Sequence, residues 1–309
     1  MQALTEAARN VVPPKLSKRP LSPAIGAEVE GIDLSQPLDS TTIEAIRAAW
    51  HEHAVLLFRH QTISEDDQAR YGGYFGTLTN MSGYAEVPKG FKQKHHPAVI
   101  FISNIREDGS LIGTLPDGEV YFHSDRAYTP DPPIATMLYA MEIPRVGGDT
   151  LFANMYAAYD ALPQAIKDRI EGLRALNVYD LSYSANGAAS KRMTTLRSDA
   201  PSSLHPMVKI HPATGRKVLF VNRLMTYRIE GLASAESDEL LNYLFGHQEQ
   251  RRFMYQHVWK VGDVLLWDNR CTLHARTDFN ASERRLLRRM TVRPPSPAGS
   301  GRAATTAGQ

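Results

Sequence analysis

Short apolar runs separated by turn residues recur along the chain and predict a protein rich in β-strands. The continuous apolar run at 54–58 indicates a strand that is buried on both faces. Similar runs at 99–102 and 135–141 predict two further strands, and 262–269 has the pattern of a turn, a buried strand and another turn. Many short strands with intervening turns are typical of a jelly roll. The hydrophobic pattern therefore favours a mainly β fold that also carries some helices.

The first predicted helix lies at 41–50. Thr41 and Glu44 have the spacing of a capping box, and Ile46 and Trp50 repeat on one helical face behind them. This pattern predicts a helix that packs one face against the core.

Three more helices are predicted from the residues at their ends. The segment 64–73 starts with serine and ends with two glycines. A second helix has Pro163 at its first position and Gly172 just past its end. In the third, Ser234 is the expected N-terminal cap and Gly246 the expected end.

The chain of 309 residues has no linker-like break, which is compatible with one β-rich domain that carries extra helices. We expect this domain to span 21–293. The two ends, 1–20 and 294–309, are rich in small residues and proline and have no hydrophobic period, so we expect both to be flexible.

Charge and cysteine content restrict the class of protein. The chain has 35 lysines and arginines against 33 aspartates and glutamates, which gives no electrostatic reason to expect a nucleic acid or a membrane as partner. The single cysteine, Cys271, cannot form an internal disulfide, and no apolar run has the length of a membrane-spanning helix. No secretory signal is recognisable. We therefore expect a cytoplasmic protein, and we also expect a homo-oligomer.

The pair His123 and Asp125 is the first candidate for chemistry. In an extended strand, residues two apart project from the same face, so an imidazole and a carboxylate would lie side by side. Such a pair supplies two of the three ligands of a two-histidine, one-carboxylate iron site. An exposed turn would explain the same dipeptide, because this spacing often arises by chance. A third ligand is needed, and His274 is the candidate.

A cluster of arginines follows His274. In the run at 284–292, Arg285 and Arg289 would share one face of a strand and could enter one pocket. The same run could form a basic helix, on which residues four apart are also neighbours. A solvated charged face or a nucleic-acid patch would be the ordinary explanation of so many arginines.

The order and spacing of these motifs resemble the taurine and 2,4-dichlorophenoxyacetate dioxygenases, a family of iron(II)- and 2-oxoglutarate-dependent oxygenases. The resemblance covers most of the chain. Besides the His123 and Asp125 pair and the spacing from His274 to the two arginines, it includes segments at 26–34, 147–150 and 267–270. It implies a double-stranded β-helix, or jelly roll, with flanking helices. It also implies a catalytic iron(II) site made by the three proposed ligands, with O2 as the oxidant and with decarboxylation of 2-oxoglutarate to succinate and CO2.

The resemblance assigns roles to five other residues. Thr150 and Arg285 occupy the positions that bind the cosubstrate 2-oxoglutarate, and Arg289 occupies the position that binds the acidic group of the substrate. Tyr84 and Met225 occupy positions that contact the substrate. The substrate is therefore expected to be a small organic anion.

Two residues depart from the taurine enzymes. Met81 stands where those enzymes have a substrate-binding histidine, and Arg126 stands where they have a valine. Arg126 could form either a structural ion pair or a substrate contact. The change at Met81 favours hydroxylation of a carboxylate such as an aryloxyalkanoate over a sulfonate. A sulfonate dioxygenase of the same family and a non-catalytic metal- or ligand-binding β-helix protein are the alternatives.

Overall fold

Two sheets form the framework of the protein, which is described by a computed structural model over residues 16–80, 95–114, 120–179 and 198–295. Strands and helices are numbered along the chain. The large sheet has eight described strands: β1 (Lys18–Pro20), β2 (Ala27–Val29), β3 (Val55–Phe58), β4 (Thr77–Leu78), β5 (Ile100–Ser103), β9 (Ala135–Glu142), β17 (Val264–Asp268) and β19 (Leu286–Arg293). Their order is β1-β2-β3-β17-β9-β19-β4, and β5 also pairs with β19. The pairs are antiparallel except for β2 with β3.

The second sheet has four described strands in the order β16-β10-β18-β8. Their bounds are β8 (Val120–His123), β10 (Thr150–Asn154), β16 (Met254–His257) and β18 (Thr272–Arg276). Three small sheets complete the β-structure: β6 (Arg106–Glu107) with β7 (Ser110–Leu111); β11 (Arg174–Val178) with β12 (Ser202–Pro206) and β15 (Thr226–Ile229); and β13 (Val208–Ile210) with β14 (Lys217–Leu219).

The helices pack outside the sheets. They are α1 (Ser40–His53), α2 (Glu65–Gly73), α3 (Met155–Asp160), α4 (Gln164–Ile170) and α5 (Ser234–Gln248), and a short 3-10 helix spans Arg251–Phe253. None of the helices among the described residues is long and apolar enough to cross a membrane.

The large sheet buries both of its faces, which explains the continuous apolar runs. Leu57 on β3 and Leu265 on β17 belong to the core between the two sheets, together with Phe152 of the second sheet. Their strand neighbours Leu56 and Leu266 point the other way, into the core that the large sheet shares with α1 and α2. Each fully buried leucine stabilises the fold by roughly 1.5–3 kcal/mol. The predicted buried strands are therefore confirmed, and they form the floor on which the site is built.

The helix ends differ in detail from the sequence prediction. Asp39, and not Thr41, caps α1, because the Asp39 carboxylate accepts a hydrogen bond from the Thr42 backbone N–H at 2.9 Å. Ser64 caps α2 as predicted, and it forms a capping box with Asp67, in which each side chain accepts from the other residue's backbone N–H.

Three further expectations about ends are wrong. Ala233 precedes α5 without a side-chain cap, and the helix passes through Gly246 to Gln248, because a glycine inside a helix weakens it without ending it. Pro163 lies at the cap of α4, one position before the helix starts. Strand β1, which pairs with β2, lies within the segment 1–20 that precedes the predicted domain.

Candidate active site

Two histidines meet where β8 and β18 pair. His123 and His274 are directly opposite each other in the register of the two strands, and their ring centroids are 4.1 Å apart. Asp125 Oδ1 lies 3.8 Å from His274 Nε2. His123 and Asp125 are buried, the His274 side chain is 12% exposed, and one ligand atom from each of the three lies within 4.8 Å of the other two. Two imidazoles and one carboxylate thus converge in the way that a facial iron(II) site requires.

The strand prediction for Asp125 is wrong, although its position in the site is not affected. Strand β8 ends at His123, and Asp125 lies in the turn that follows. The next residue, Arg126, has a φ of 52°, in the left-handed region that non-glycine residues rarely adopt. Ser124 holds the turn by donating its hydroxyl to the Asn269 carbonyl at 2.8 Å. A fixed turn, and not strand alternation, aims the carboxylate at the histidines.

A chain of hydrogen bonds behind Asp125 has only one possible direction. The indole N–H of Trp267 can only donate, and it donates to Asn269 Oδ1 at 2.9 Å. The Asn269 amide nitrogen therefore faces Thr136 and donates to its hydroxyl at 2.9 Å, so that Thr136 in turn donates to Asp125 Oδ2 at 2.5 Å. This leaves Oδ1 as the carboxylate oxygen that faces His274.

The protonation states of His123, His274 and Asp125 are those that allow a metal ion to bind. Burial lowers the pKa of His123, and its Nδ1 lies 2.7 Å from the Tyr121 carbonyl, so the neutral ring donates there and keeps the Nε2 lone pair. Burial lowers the pKa of His274 to about 3, and electrostatic repulsion from the neighbouring His123 contributes to this shift. Burial opposes ionisation of Asp125, but His274 and Arg289 outweigh it and hold the pKa of this carboxyl below its usual range. Neutral imidazoles and an ionised carboxylate are the forms that bind iron(II).

A cavity opens beside the histidines and is lined by side chains from both sheets. Its walls include His123, His274, Thr150, Trp267, Arg276, Arg285 and Arg289, with Ile102, Val120, Leu138 and Ala275 as apolar contacts. The potential metal ligands His123 and His274 lie on the second sheet, and Asp125 lies in the turn after β8. Arg289 lies on β19 of the large sheet, and Arg285 directly precedes that strand. The cavity therefore combines a cation-binding wall with an anion-binding wall.

Arg285 is buried, the Arg289 side chain is 11% exposed, and both residues have donors to offer. Arg285 Nη2 donates to the Gly148 carbonyl at 3.1 Å, while its Nε and Nη1 meet no hydrogen-bond partner among the described residues. A Cβ on Gly148 would lie 2.9 Å from Arg285 Nε, so only glycine lets the guanidinium approach this closely. Arg289 Nη1 lies 3.6 Å from Asp125 Oδ1. Carboxylate or sulfonate groups match such donors.

Thr150 completes the anion-binding wall. It is buried at the start of β10, and its hydroxyl oxygen accepts a hydrogen bond from the Trp259 indole at 3.0 Å. Because that oxygen already accepts, its own hydrogen remains available for donation into the cavity.

The arginine run is a strand, and its four arginines have different surroundings. Arg284 is exposed and pairs with Glu142. Arg288 is buried on the other face, where it donates to Gln68 and to the backbone carbonyls of Ile63 and Ser64. The alternative predictions of a basic helix and of a solvated basic face are therefore wrong.

Of the other sequence candidates, the structure describes Met225 and Arg126. Met225 is buried in a separate cluster with Ala127, Tyr128 and Phe220, and among the described residues it is not part of the cavity wall. Tyr84 and Met81 lie outside the described residues. Arg126 is buried and lies in the same turn as Asp125.

Sequence reasoning missed two contributors. Arg276 follows His274 by two positions on β18, so strand alternation alone would have placed both on one face. Thr136 left no signal, because a threonine inside an apolar strand has no distinguishing pattern.

A second group of two histidines and a carboxylate is already satisfied internally. His211 Nε2 lies 3.0 Å from Asp268 Oδ2, and Arg270 binds both oxygens of that carboxylate, so a cation would meet a guanidinium. His51 is the third member. Cys271, beside it, is 2% exposed, and burial raises the pKa of its thiol well above the usual value. This cluster braces the end of β17.

The comparison with known proteins agrees with this geometry. Residues 17–291 match the model of the family described as "Taurine catabolism dioxygenase TauD, TfdA family". The chain belongs to this family. It is 36% identical over 281 residues to an alpha-ketoglutarate-dependent 2,4-dichlorophenoxyacetate dioxygenase of Cupriavidus pinatubonensis, covering 88% of this chain and 96% of the relative. An alpha-ketoglutarate-dependent sulfate ester dioxygenase of Pseudomonas putida is 31% identical and covers 92% of each chain.

Solved structures give the same result for the fold. The crystal structure of AAD-2 in complex with Mn(II) and N-oxalylglycine has a TM-score of 0.74 and 29% identity, and it covers 91% of this chain and 98% of its own. A taurine dioxygenase from Burkholderia xenovorans has a TM-score of 0.73 and 30% identity, with 91% and 90% covered. The predicted jelly roll with flanking helices is thus confirmed. So is the prediction of an oxidoreductase that uses Fe(II), 2-oxoglutarate and O2.

Proposed function

We propose that this dioxygenase oxidises a small organic acid, with His123, Asp125 and His274 as the iron(II) ligands. The observation that carries the proposal is the convergence of these buried donors beside a cavity with an arginine wall. When bound, the iron activates O2 for oxidation of the substrate as 2-oxoglutarate is decarboxylated. The protein supplies the binding, the orientation and the electrostatics.

Each wall of the cavity has a proposed task. Two neutral imidazoles and one carboxylate leave an iron(II) centre with a net charge near +1, which favours a dianionic keto acid as chelator. Thr150 and Arg285 then bind the far carboxylate of 2-oxoglutarate through a hydroxyl and a planar fork of N–H groups. Arg289, beside Asp125, binds the acidic group of the substrate and so places the substrate near the metal.

An aryloxyalkanoate-type carboxylate is the favoured substrate. Two relatives with 36% and 35% identity are named for 2,4-dichlorophenoxyacetate and (S)-phenoxypropionate. The fork of Arg289 fits a carboxylate and also fits a sulfonate or sulfate, so a sulfonate or sulfate ester remains the second candidate, supported by the Pseudomonas putida relative.

Succinate release tests the proposal. The purified protein is incubated with iron(II), 2-oxoglutarate and one acid from each class: aryloxyacetates, sulfonates, sulfate esters and aliphatic carboxylates. We expect strong stimulation by an aryloxyalkanoate and none in the His123→Ala and His274→Ala variants. Full iron-dependent activity of His274→Ala would refute the third ligand, and stimulation by sulfonates or sulfate esters alone would refute the favoured substrate class.

Other expectations stay predictions. These are the substrate contacts of Tyr84 and Met225, the single-domain bounds, the homo-oligomeric state and the cytoplasmic location.

A further inference from the structure

A third arginine, Arg276, shares the cavity with Arg285 and Arg289. Arg276 is the last residue of β18, and its side chain lines the cavity while only 6% of the residue is exposed. It lies two positions after His274, so the two side chains are on the same side of the strand. Arg276 therefore belongs to the wall of the site and not to the protein surface.

Arg276 lies at the same end of the cavity as the groups assigned to 2-oxoglutarate. In the pairing of β10 with β18, its partner residue is Thr150. The guanidinium carbons of Arg276 and Arg285 lie 5.6 and 5.7 Å from the ring centroid of Phe279, so one ring contacts both cations. Two strands and one aromatic ring thus bring Thr150, Arg276 and Arg285 together.

The two cations destabilise each other. Burial, together with the positive charge of Arg276, lowers the pKa of Arg285 to about 9. Of the described carboxylates, Asp149 opposes this shift. Nε and Nη1 of Arg285 are buried and meet no acceptor in the described part of the chain. Buried like charges and unsatisfied donors cost free energy, which an anion between them would offset.

We propose that Arg276 is a second cation for 2-oxoglutarate, and that it binds the far carboxylate together with Arg285 and Thr150. This inference rests on the proposed function, because it assumes that the keto acid end is held at the proposed iron site. A carboxylate has two oxygens with several lone pairs, so it can accept from two guanidinium groups and one hydroxyl. The pair of arginines selects a keto acid with two carboxylates, and it leaves Arg289 for the substrate.

Direct binding tests this role without turnover. The full chain is loaded with Mn(II), and the dissociation constants of 2-oxoglutarate and 2-oxopentanoate are measured by calorimetry. The two ligands have the same keto acid end and chain length, but 2-oxopentanoate lacks the far carboxylate. Loss of a charge-assisted contact costs about 1.5–3 kcal/mol, so Arg276→Gln should weaken 2-oxoglutarate binding by about tenfold or more. It should leave 2-oxopentanoate binding almost unchanged.

Arg284→Gln is the matched control, since it removes the same charge from the exposed residue next to Arg285. It should change neither constant. Thermal unfolding of each variant checks that the fold is kept, and Arg276→Lys, which keeps the charge, should fall between the wild type and Arg276→Gln.

Three results would overturn the inference. The first is that Arg276→Gln and Arg284→Gln have the same dissociation constant for 2-oxoglutarate. This holds even if Arg276→Gln binds the substrate more weakly. The second is an equal loss for both keto acids, which would mean a structural role. In both cases the proposed iron site stands. The third is wild-type protein without Mn(II)-dependent binding of 2-oxoglutarate, which would overturn the proposed site as well.

Discussion

Arg289 is the residue whose assigned role differs most from an ordinary structural role. Its side chain lies beside Asp125 and is 11% exposed, and its buried Nε meets no hydrogen-bond partner among the residues described. Arg289→Ala should therefore reduce kcat/KM for the acidic substrate by about thirtyfold to several-thousandfold, because a buried charge-assisted contact typically contributes about 2–5 kcal/mol. The apparent constant for 2-oxoglutarate should change little. Steady-state kinetics with each compound varied in turn measure both effects.

Lysine at this position gives a sharper comparison. Arg289→Lys keeps the charge but loses the two-pronged geometry, so activity should recover only in part. Equal losses for substrate and 2-oxoglutarate would show that Arg289 supports the whole cavity and does not bind the substrate in particular.

At the level of single residues, sequence spacing predicted side chains that a strand displays in alternation. Arg285 and Arg289 could be assigned to one pocket because the run containing them is a strand. Arg276 obeys the same rule, since it lies two positions after His274 on β18. Met225 was placed by resemblance alone, and the structure buries it among other apolar side chains outside the cavity wall described above.

At the level of elements, the site depends on the junction between β8, β9 and β17. Thr136 on β9 passes a hydrogen bond from Asn269 to Asp125, and the direction of that bond is fixed by Trp267. Partners behind a metal ligand commonly change metal affinity by about 10–100-fold. Thr136→Val keeps the shape but removes the hydroxyl, so Mn(II) should bind about tenfold or more weakly. Titration of metal-free protein followed by electron paramagnetic resonance measures this.

Thr291 offers a control in the same sheet. It is buried on β19 and pairs with Thr136 across the strands, but it does not contact Asp125 through any hydrogen bond among those described. Thr291→Val should leave Mn(II) affinity close to that of the wild type. Similar losses in both variants would indicate that the sheet, and not the hydroxyl, controls the metal site.

Elements were predictable where one physical signal dominated. Runs such as 54–58 became strands because both faces of the large sheet are buried, and Ser64 capped α2 because its partner Asp67 stands at the right distance. Asp125 shows the limit. Its turn is held by a contact between Ser124 and Asn269, which are far apart in sequence, so no local pattern could indicate where β8 ends.

For the molecule as a whole, the cavity joins two sheets. The proposed iron ligands belong to the second sheet and its turn, whereas Arg289 belongs to the large sheet and Arg285 directly precedes its strand β19. A ligand held at both ends should therefore resist separation of the sheets. Mn(II) with 2-oxoglutarate should raise Tm more than Mn(II) alone, since ligand at about 100 times Kd stabilises the native state by roughly 2.7 kcal/mol. Differential scanning calorimetry measures the increment.

Arg285→Ala should lose most of this increment while keeping the response to Mn(II). An undiminished increment in Arg285→Ala would mean that the far carboxylate of 2-oxoglutarate is held elsewhere.

Because Cys271 is buried, the rate at which its thiol is alkylated depends on how often the structure around it opens. Only the thiolate reacts with alkylating reagents, and in the native state this thiol is covered and hard to ionise. Because the chain has no other cysteine, alkylation of a thiol at neutral pH reports exposure of the β17–β18 corner. The rate of alkylation by iodoacetamide, measured as an increase in protein mass, thus reports how often the region around His274 opens, and no attached label is needed.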